Sequence, residues 1–209
     1  MGNKEAIKFY NLLSKKIINP LELRNKSKDT SDIDVAFIKN FANKEFNLLD
    51  IGSGTGLLVN HLTENFNNIF AIEKYNEFSK YITNKVQVFN YDLLETNFQE
   101  FNFQVATAFG SMHYFDEEES KIIYKNVYNK LPKNGIFIVK NQMGVTEDVN
   151  IHYSSELNSN YFAQYRFVDK EIINLEAIGF TLIEKKDIYP ASYNRFENTH
   201  FYALVLKKL

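Results

Sequence analysis

Three glycines at alternate positions, Gly52, Gly54 and Gly56, follow Asp50 at the end of the apolar run Leu48-Leu49-Asp50-Ile51. Glycine has no Cβ, so it tolerates positive φ and lets a ligand lie directly on the backbone. With Ser53 between the first two, the stretch reads as strand, tight turn and helix start. A helix opening at Thr55 would aim unpaired N–H groups and a positive dipole end at whatever sits above the turn. A nucleotide-like ligand suits that chemistry. A phosphate-binding P-loop would need Gly-Lys-Ser/Thr and a dinucleotide fingerprint would be G-x-G-x-x-G, whereas this turn is G-x-G-x-G.

A second acid, Glu73, ends the next apolar run, Ile69-Phe70-Ala71-Ile72, 21 positions beyond Gly52. At that distance a carboxylate reaches both hydroxyls of a ribose whose other end lies on the glycine turn. Of the four histidines, His61 reads as structural. His113 falls at the carboxyl edge of the expected sheet, and His152 and His200 lie in or beside segments that close over it. The three arginines, Arg24, Arg166 and Arg195, all flank the same edge, and a guanidinium binds carboxylate or phosphate through two prongs. An anionic small molecule is the acceptor this suggests. The bland alternative is that exposed loops simply hold exposed arginines.

Asp50-Ile51-Gly52-Ser53-Gly54-Thr55-Gly56 resembles the first motif of the class I S-adenosylmethionine-dependent methyltransferases, and the resemblance runs over residues 46–209. It implies S-adenosylmethionine as cofactor, with Asp50, Gly52, Ser53, Gly54, Gly56, Glu73, Lys74 and Phe109 around it. Asp92 would accept from the adenine amino group and Leu93 would offer its backbone N–H. After the fourth strand, Gly110-Ser111-Met112-His113-Tyr114 lacks the Asn/Asp-Pro-Pro-Tyr/Phe of base-methylating relatives, and no acid occurs between Glu100 and Asp116 to match magnesium-dependent ones. No metal is expected. His113-Tyr114 instead is similar to the pair of the small-molecule subgroup, with His113 as base or substrate contact and Tyr10, Tyr114, Asn141, His152 and the arginines around the acceptor. Leu131-Pro132-x-x-Gly135 before an apolar strand is a further likeness. N-terminal helices in this family form part of a substrate lid; here they could equally cover a sheet edge.

These residues need a scaffold. Alternating short apolar runs and helical patterns from residue 46 onward predict an α/β, Rossmann-like, doubly wound seven-stranded sheet, mostly parallel with an antiparallel last strand. A single domain, 1–209, is expected, with residues 1–45 as helical lid and 46–209 as the cofactor-binding core. Helices are predicted over 3–19, from Ser31 to Phe41, from Thr55 to about Asn65, over 117–131 with Ile122, Ile123, Val127, Tyr128 and Leu131 inward, and after Asp169 with Ile172, Ile173, Leu175 and Ile178 inward. Ser31 reads as the cap of the second helix and Asp169 as the cap of the last. Strands are expected at 48–51, 69–73, 86–90, 103–109, 136–139, 180–187 and 200–206, and residues 143–167 read as a long irregular binding loop.

Composition narrows the function. A net charge of −2 offers no field for a polyanion, and the absence of cysteine removes disulfides and thiol catalysis. No apolar stretch is long enough to span a bilayer, so a soluble cytoplasmic enzyme is the default. The function expected is methyl transfer to an oxygen, or less readily a nitrogen, of a small anionic metabolite. An RNA methyltransferase, disfavoured by charge and the missing motif, and a non-catalytic S-adenosylmethionine-binding partner subunit are the alternatives. Oligomeric state is not legible.

Overall fold

The computed structural model describes residues 3–16, 19–23, 29–154 and 158–209. Its strands are β1 (Asn47–Ile51), β2 (Asn68–Ile72), β3 (Gln87–Phe89), β4 (Val105–Phe109), β5 (Ile136–Gly144), β6 (Val149–Ser154), β7 (Ser159–Tyr165), β8 (Phe180–Asp187) and β9 (Thr199–Lys208). Seven of them form one sheet in the order β3-β2-β1-β4-β5-β9-β8, in which only β9 runs antiparallel to its neighbours. That is the sheet expected from the alternating pattern, and its order reverses between β1 and β4, which places a crevice at their carboxyl ends.

Because side chains alternate across a strand, successive apolar residues serve opposite faces. Leu49, Ala106, Phe137 and Leu204 face one core, and Leu48, Val105, Ile138 and Val205 face the other. The helices are α1 (Asn3–Ser14), α2 (Ser31–Lys39), α3 (Asn76–Ser79), α4 (Glu117–Lys130) and α5 (Val168–Ile178). Ile123 and Val127 of α4 and Leu175 of α5 close the first core. Val35 and Ile38 of α2, with Leu58, Val59 and Leu62, close the second. Ile122 and Ile173, expected to face inward, are 51% and 65% exposed, since each sits one position off its helix's buried stripe. No helix of the described residues is long and apolar enough to cross a membrane.

Several expectations need correction. No α-helix follows the glycine turn: residues 55–65 form successive turns with one 3-10 turn at Val59–His61. Gly54 and Gly56 both take positive φ, 56° and 78°, which denies Thr55 a helical start, and the Asn60 side chain leaves the segment to hold Tyr81 C=O at 3.1 Å and Thr83 N–H at 2.9 Å. The described residues of 143–167 are mostly regular, because β5 continues to Gly144 and β6 and β7 pair as an antiparallel hairpin. The caps also differ. Thr30 precedes α2, and Ser31 spends its N–H and hydroxyl on Asp29. Phe167 precedes α5, leaving Asp169 to pair with Lys185. The first helix stops at Ser14, and a 3-10 turn occupies Pro20–Leu23.

The start of α4 matters most to the site, because it ends the loop that leaves β4. There Asp116 accepts from Glu119 N–H at 2.9 Å while Glu119 accepts from Asp116 N–H at 3.0 Å, a reciprocal cap that satisfies two otherwise orphaned donors. Asp116→Ala is expected to cost about 1 kcal/mol of stability, read as a lower urea midpoint; an unchanged midpoint would contradict the assignment.

Candidate active site

The carboxyl ends of β1, β2 and β4 open into a cavity of about 1060 Å³ whose floor is the glycine turn. Gly52 and Gly54 present backbone to it at φ 74° and 56°. A Cβ on Gly52 would stand 2.5 Å from the Cβ of Ser111, so the turn packs against the loop after β4 as closely as a backbone can. Ser53 N–H and Gly52 N–H both donate to Ile72 C=O, at 3.1 and 2.9 Å, tying the turn to the end of β2. Asp50 lies beneath, 4% exposed, accepting from the Thr107 hydroxyl at 2.7 Å.

Glu73 projects into the same cavity. One of its oxygens accepts from Gly54 N–H at 2.8 Å and the other from Tyr75 N–H at 2.9 Å. Burial pushes its carboxyl up to about 7, against the pull of the Tyr75 and Gly54 donors, with the Asp50 charge adding to the rise. Asp92 and Leu93 line the far side; Asp92 accepts from Leu94 N–H at 3.0 Å and pairs with the Lys74 ammonium. Ala6, Ile7 and Tyr10 of α1 roof the cavity. The roof is fastened by Tyr75 hydroxyl to Ile7 C=O at 3.3 Å and by Thr55 hydroxyl to Pro20 C=O at 2.7 Å.

A second cavity, about 740 Å³, shares Phe109, Gly110 and Tyr114 with the first. His113 and Asn141 line it, the His113 Nδ1 lying 3.2 Å from the Asn141 carbonyl oxygen. Burial pushes His113 down to about 3, opposed by the Asn141 hydrogen bond and reinforced by Arg195, Arg166 and Lys140. The imidazole is therefore neutral, with Nδ1–H donating to Asn141 and Nε2 keeping its lone pair. Tyr165 packs on its ring, centroids 5.3 Å apart.

Lys140, 5% exposed, stands at the base of this second cavity. Its ammonium donates to the Tyr189 hydroxyl at 2.8 Å, pairs with Asp34 at 3.1 Å, and lies over the Phe109, Tyr189 and Phe201 rings. Its charge is matched inside the fold. Arg195 also borders the cavity, and among the described residues its guanidinium has neither ion pair nor hydrogen-bond partner.

Of the residues singled out from sequence, Asp50, Gly52, Ser53, Gly54, Glu73, Lys74, Asp92, Leu93 and Tyr10 meet at the first cavity, His113, Asn141 and Arg195 at the second, and Phe109 and Tyr114 at both. Gly56 does not border either: a Cβ there would meet Ile82 at 2.7 Å, so its role is packing behind the turn. Arg166 is buried and spends its guanidinium on Glu171, Tyr124 and two loop carbonyls, which removes it from any acceptor site. His152 is exposed on β6 and lines neither cavity. Arg24 lies outside the described residues. Sequence reasoning missed the pairing of Lys140 with Asp34 and Tyr189; the only signal was a lysine in an otherwise apolar strand, which needs a buried partner.

Residues 48–135, from β1 to the turn before β5, match the family model of the methyltransferase domain. The match spans 88 of the 209 residues and makes this stretch similar to methyltransferase domains. Among solved structures it is similar to an S-adenosylmethionine-dependent methyltransferase from Clostridium acetobutylicum, at 18% identity and TM-score 0.64, over 96% of this chain and 98% of that one. It is likewise similar to the glycopeptide N-methyltransferase MtfA in complex with S-adenosylmethionine, at 14% identity and TM-score 0.66, over 86% and 94%. The [4+2]-cyclase SpnF shares the fold too, at 13% identity and TM-score 0.63, over 84% and 80%. At such identities these likenesses speak for the fold alone. No curated protein matches the chain.

The first cavity fits the cofactor of a methyltransferase. It offers a glycine-rich floor, two buried carboxylates, Glu73 and Asp50, and apolar walls from Ile72, Leu93 and Phe109. A ribose donates two hydroxyl hydrogens, so its ligand must be the ionised carboxylate. For Glu73 to hold a ribose in this way, it would first lose the proton that burial holds to about pH 7. Affinity for S-adenosylhomocysteine is therefore expected to be full above pH 8 and to fall, by up to about tenfold per unit, as pH drops below 7. Glu73→Gln should bind more weakly and show no such slope. Calorimetry across pH 5.5–8.5 checks this, and parallel profiles for both proteins would contradict it.

Proposed function

We propose that this methyltransferase methylates an oxygen, less readily a nitrogen, of a small anionic metabolite such as a phosphorylated compound or a nucleotide-linked sugar. The observation that carries the reading is Arg195, which among the described residues is a cation without a protein partner, at a cavity sharing Phe109, Gly110 and Tyr114 with the cofactor cavity. Lys140 is neutralised by Asp34, so the cavity's uncompensated charge is positive, and a carboxylate or phosphate on the acceptor would complement it.

S-adenosylmethionine supplies, when bound, a methyl group on a sulfonium, which any aligned nucleophile can take. Glu73 would hold the ribose, Asp92 and Leu93 the adenine, and the Gly52–Gly54 backbone the amino-acid end. Tyr114 and Phe109 shape the passage between the cavities. Arg195 anchors the acceptor, and the lone pair on His113 Nε2 accepts a hydrogen bond from its hydroxyl. Burial leaves this imidazole weakly basic, so it orients the hydroxyl and the proton released on methyl transfer passes to water, whereas a phosphate or carboxylate oxygen is already ionised and releases none. The N-terminal segment, through α1, serves as the lid over the cofactor, and the whole chain works as one domain.

Incubation with methyl-labelled S-adenosylmethionine and a panel of phosphorylated, carboxylated and neutral metabolites tests the reading. Label is expected in an anionic member, and Arg195→Lys should lower kcat/KM for it about tenfold, since an ammonium loses the two-pronged geometry. Because His113 stays neutral down to about pH 3, kcat at saturating cofactor should show no His113-dependent limb between pH 6 and 8. Turnover of neutral members alone, or a limb near pH 6.5 abolished by His113→Gln, would contradict it.

A further inference from the structure

Arg166 reaches the edge of the reaction without touching it. Its side chain is 3% exposed and all three nitrogens are committed. Nε and Nη2 hold the Glu171 carboxylate at 2.7 and 2.8 Å, Nη1 donates to Phe115 C=O at 2.9 Å, and Nη2 donates to Met112 C=O at 3.2 Å and to the Tyr124 hydroxyl at 3.3 Å. Those two carbonyls bracket His113 and Tyr114. The loop between them is also held by a single 3-10 turn, Met112–Tyr114, by the long contact of the Ser120 hydroxyl to Met112 C=O at 3.5 Å, and at its side chains by His113 to Asn141 at 3.2 Å and by the Tyr10 hydroxyl to the Tyr114 hydroxyl; Arg166 is the side chain that reaches both bracketing carbonyls.

The guanidinium also fixes what faces that loop. Arg166 directly follows β7, whose Tyr165 stacks on His113 and whose Tyr161 meets Tyr114 at 6.1 Å. Its own C=O accepts from Gly144 N–H at 2.9 Å, at the end of β5. One planar fork thus sets the position of the loop, the hairpin and the α5 start relative to one another. A lysine would keep the charge, but its single ammonium cannot serve acceptors arrayed in the guanidinium plane.

We infer that Arg166 is a positioning residue, holding the Met112 and Phe115 carbonyls so that His113 and Tyr114 present their rings to the shared wall of the two cavities. Its importance for methyl transfer rests on the function proposed above, whereas the positioning itself is read without any acceptor.

The test is NMR of the imidazole nitrogens in ¹⁵N-histidine-labelled protein, with His113 assigned by His113→Gln. In the wild type, His113 should show one tautomer, protonated at Nδ1, and resist protonation throughout pH 5–8. In folded Arg166→Lys, which preserves the charge near the ring, His113 should lose the single tautomer and begin to protonate within pH 5–8, while the dissociation constant for S-adenosylhomocysteine changes less than threefold. A folded Arg166→Lys with His113 tautomer and titration unchanged would overturn the inference, since a residue that only stabilises the fold would behave so. If Arg166→Lys does not fold, Tyr124→Phe decides, because it deletes one hydroxyl and leaves the Arg166 and Glu171 charges in place. The same shift, smaller, supports the positioning role, and its absence overturns it. Failure to find an anionic acceptor would leave these signals untouched, so the two readings fail separately.

Discussion

The geometry at the sheet edge depends on the bond between the Gly54 N–H and the Glu73 carboxylate. The turn after β1 has no α-helix behind it to hold its shape, and its glycines have no side chains to pack. Its conformation comes instead from the neighbouring strand end, where Ile72 C=O takes two N–H groups and Glu73 takes a third. Burying a carboxylate is costly unless donors surround it. Here two backbone donors offset the cost only in part, and the raised proton affinity of Glu73 records the remainder. A carboxylate held in that state gains from any ligand that brings further hydroxyl donors, which is how the fold turns a folding cost into ligand affinity.

The second cavity is built on a different electrostatic principle. Its charged groups are Lys140 with Asp34, a buried pair capped by the Tyr189 hydroxyl, and Arg195, which has no such partner among the described residues. Breaking a buried pair leaves an uncompensated charge, so Lys140 is fixed scaffold, whereas Arg195 can exchange water for an anion at little cost. Between the cavities stands a short loop whose backbone is held by Arg166 and whose His113 and Tyr114 side chains are held by Asn141 and Tyr10. Fold, floor and wall are thus set by separate groups, which is why their removal should have separable effects.

Much of the fold is legible in the chain itself. Apolar runs mark all seven strands of the main sheet, and the turn from Asp50 to Gly56 together with Glu73 marks the cofactor cavity. Their legibility has a physical reason: short-range steric demands, positive φ and the alternation of a sheet buried on both faces, write themselves into consecutive residues. The helix expected after Thr55 fails because apolar spacing at Leu58, Val59 and Leu62 serves a series of turns as well as a helix, and two positive-φ glycines decide between them. The β6–β7 hairpin is hidden by its polar, tyrosine-rich strands, whose partner is each other rather than the main sheet. Arg166 misleads for a related reason. A lone arginine next to a loop looks like a ligand for an anion, and its actual partners, Glu171 five residues on and carbonyls more than fifty residues back, are contacts that only the closed fold brings together. Lys140, Asp34 and Tyr189 likewise meet across 106 and 155 positions.

The claim on which the rest stands is that the glycine turn and Glu73 form the cofactor site of this methyltransferase. A crystal structure of the chain with S-adenosylhomocysteine tests it most directly. The account requires both ribose hydroxyls within about 3 Å of the Glu73 carboxylate, the adenine beside Asp92 and Leu93, and the sulfur directed at the wall formed by Phe109, Gly110 and Tyr114. Density for the ligand in any other cleft, or in this cavity with Glu73 touching no part of it, would contradict the account.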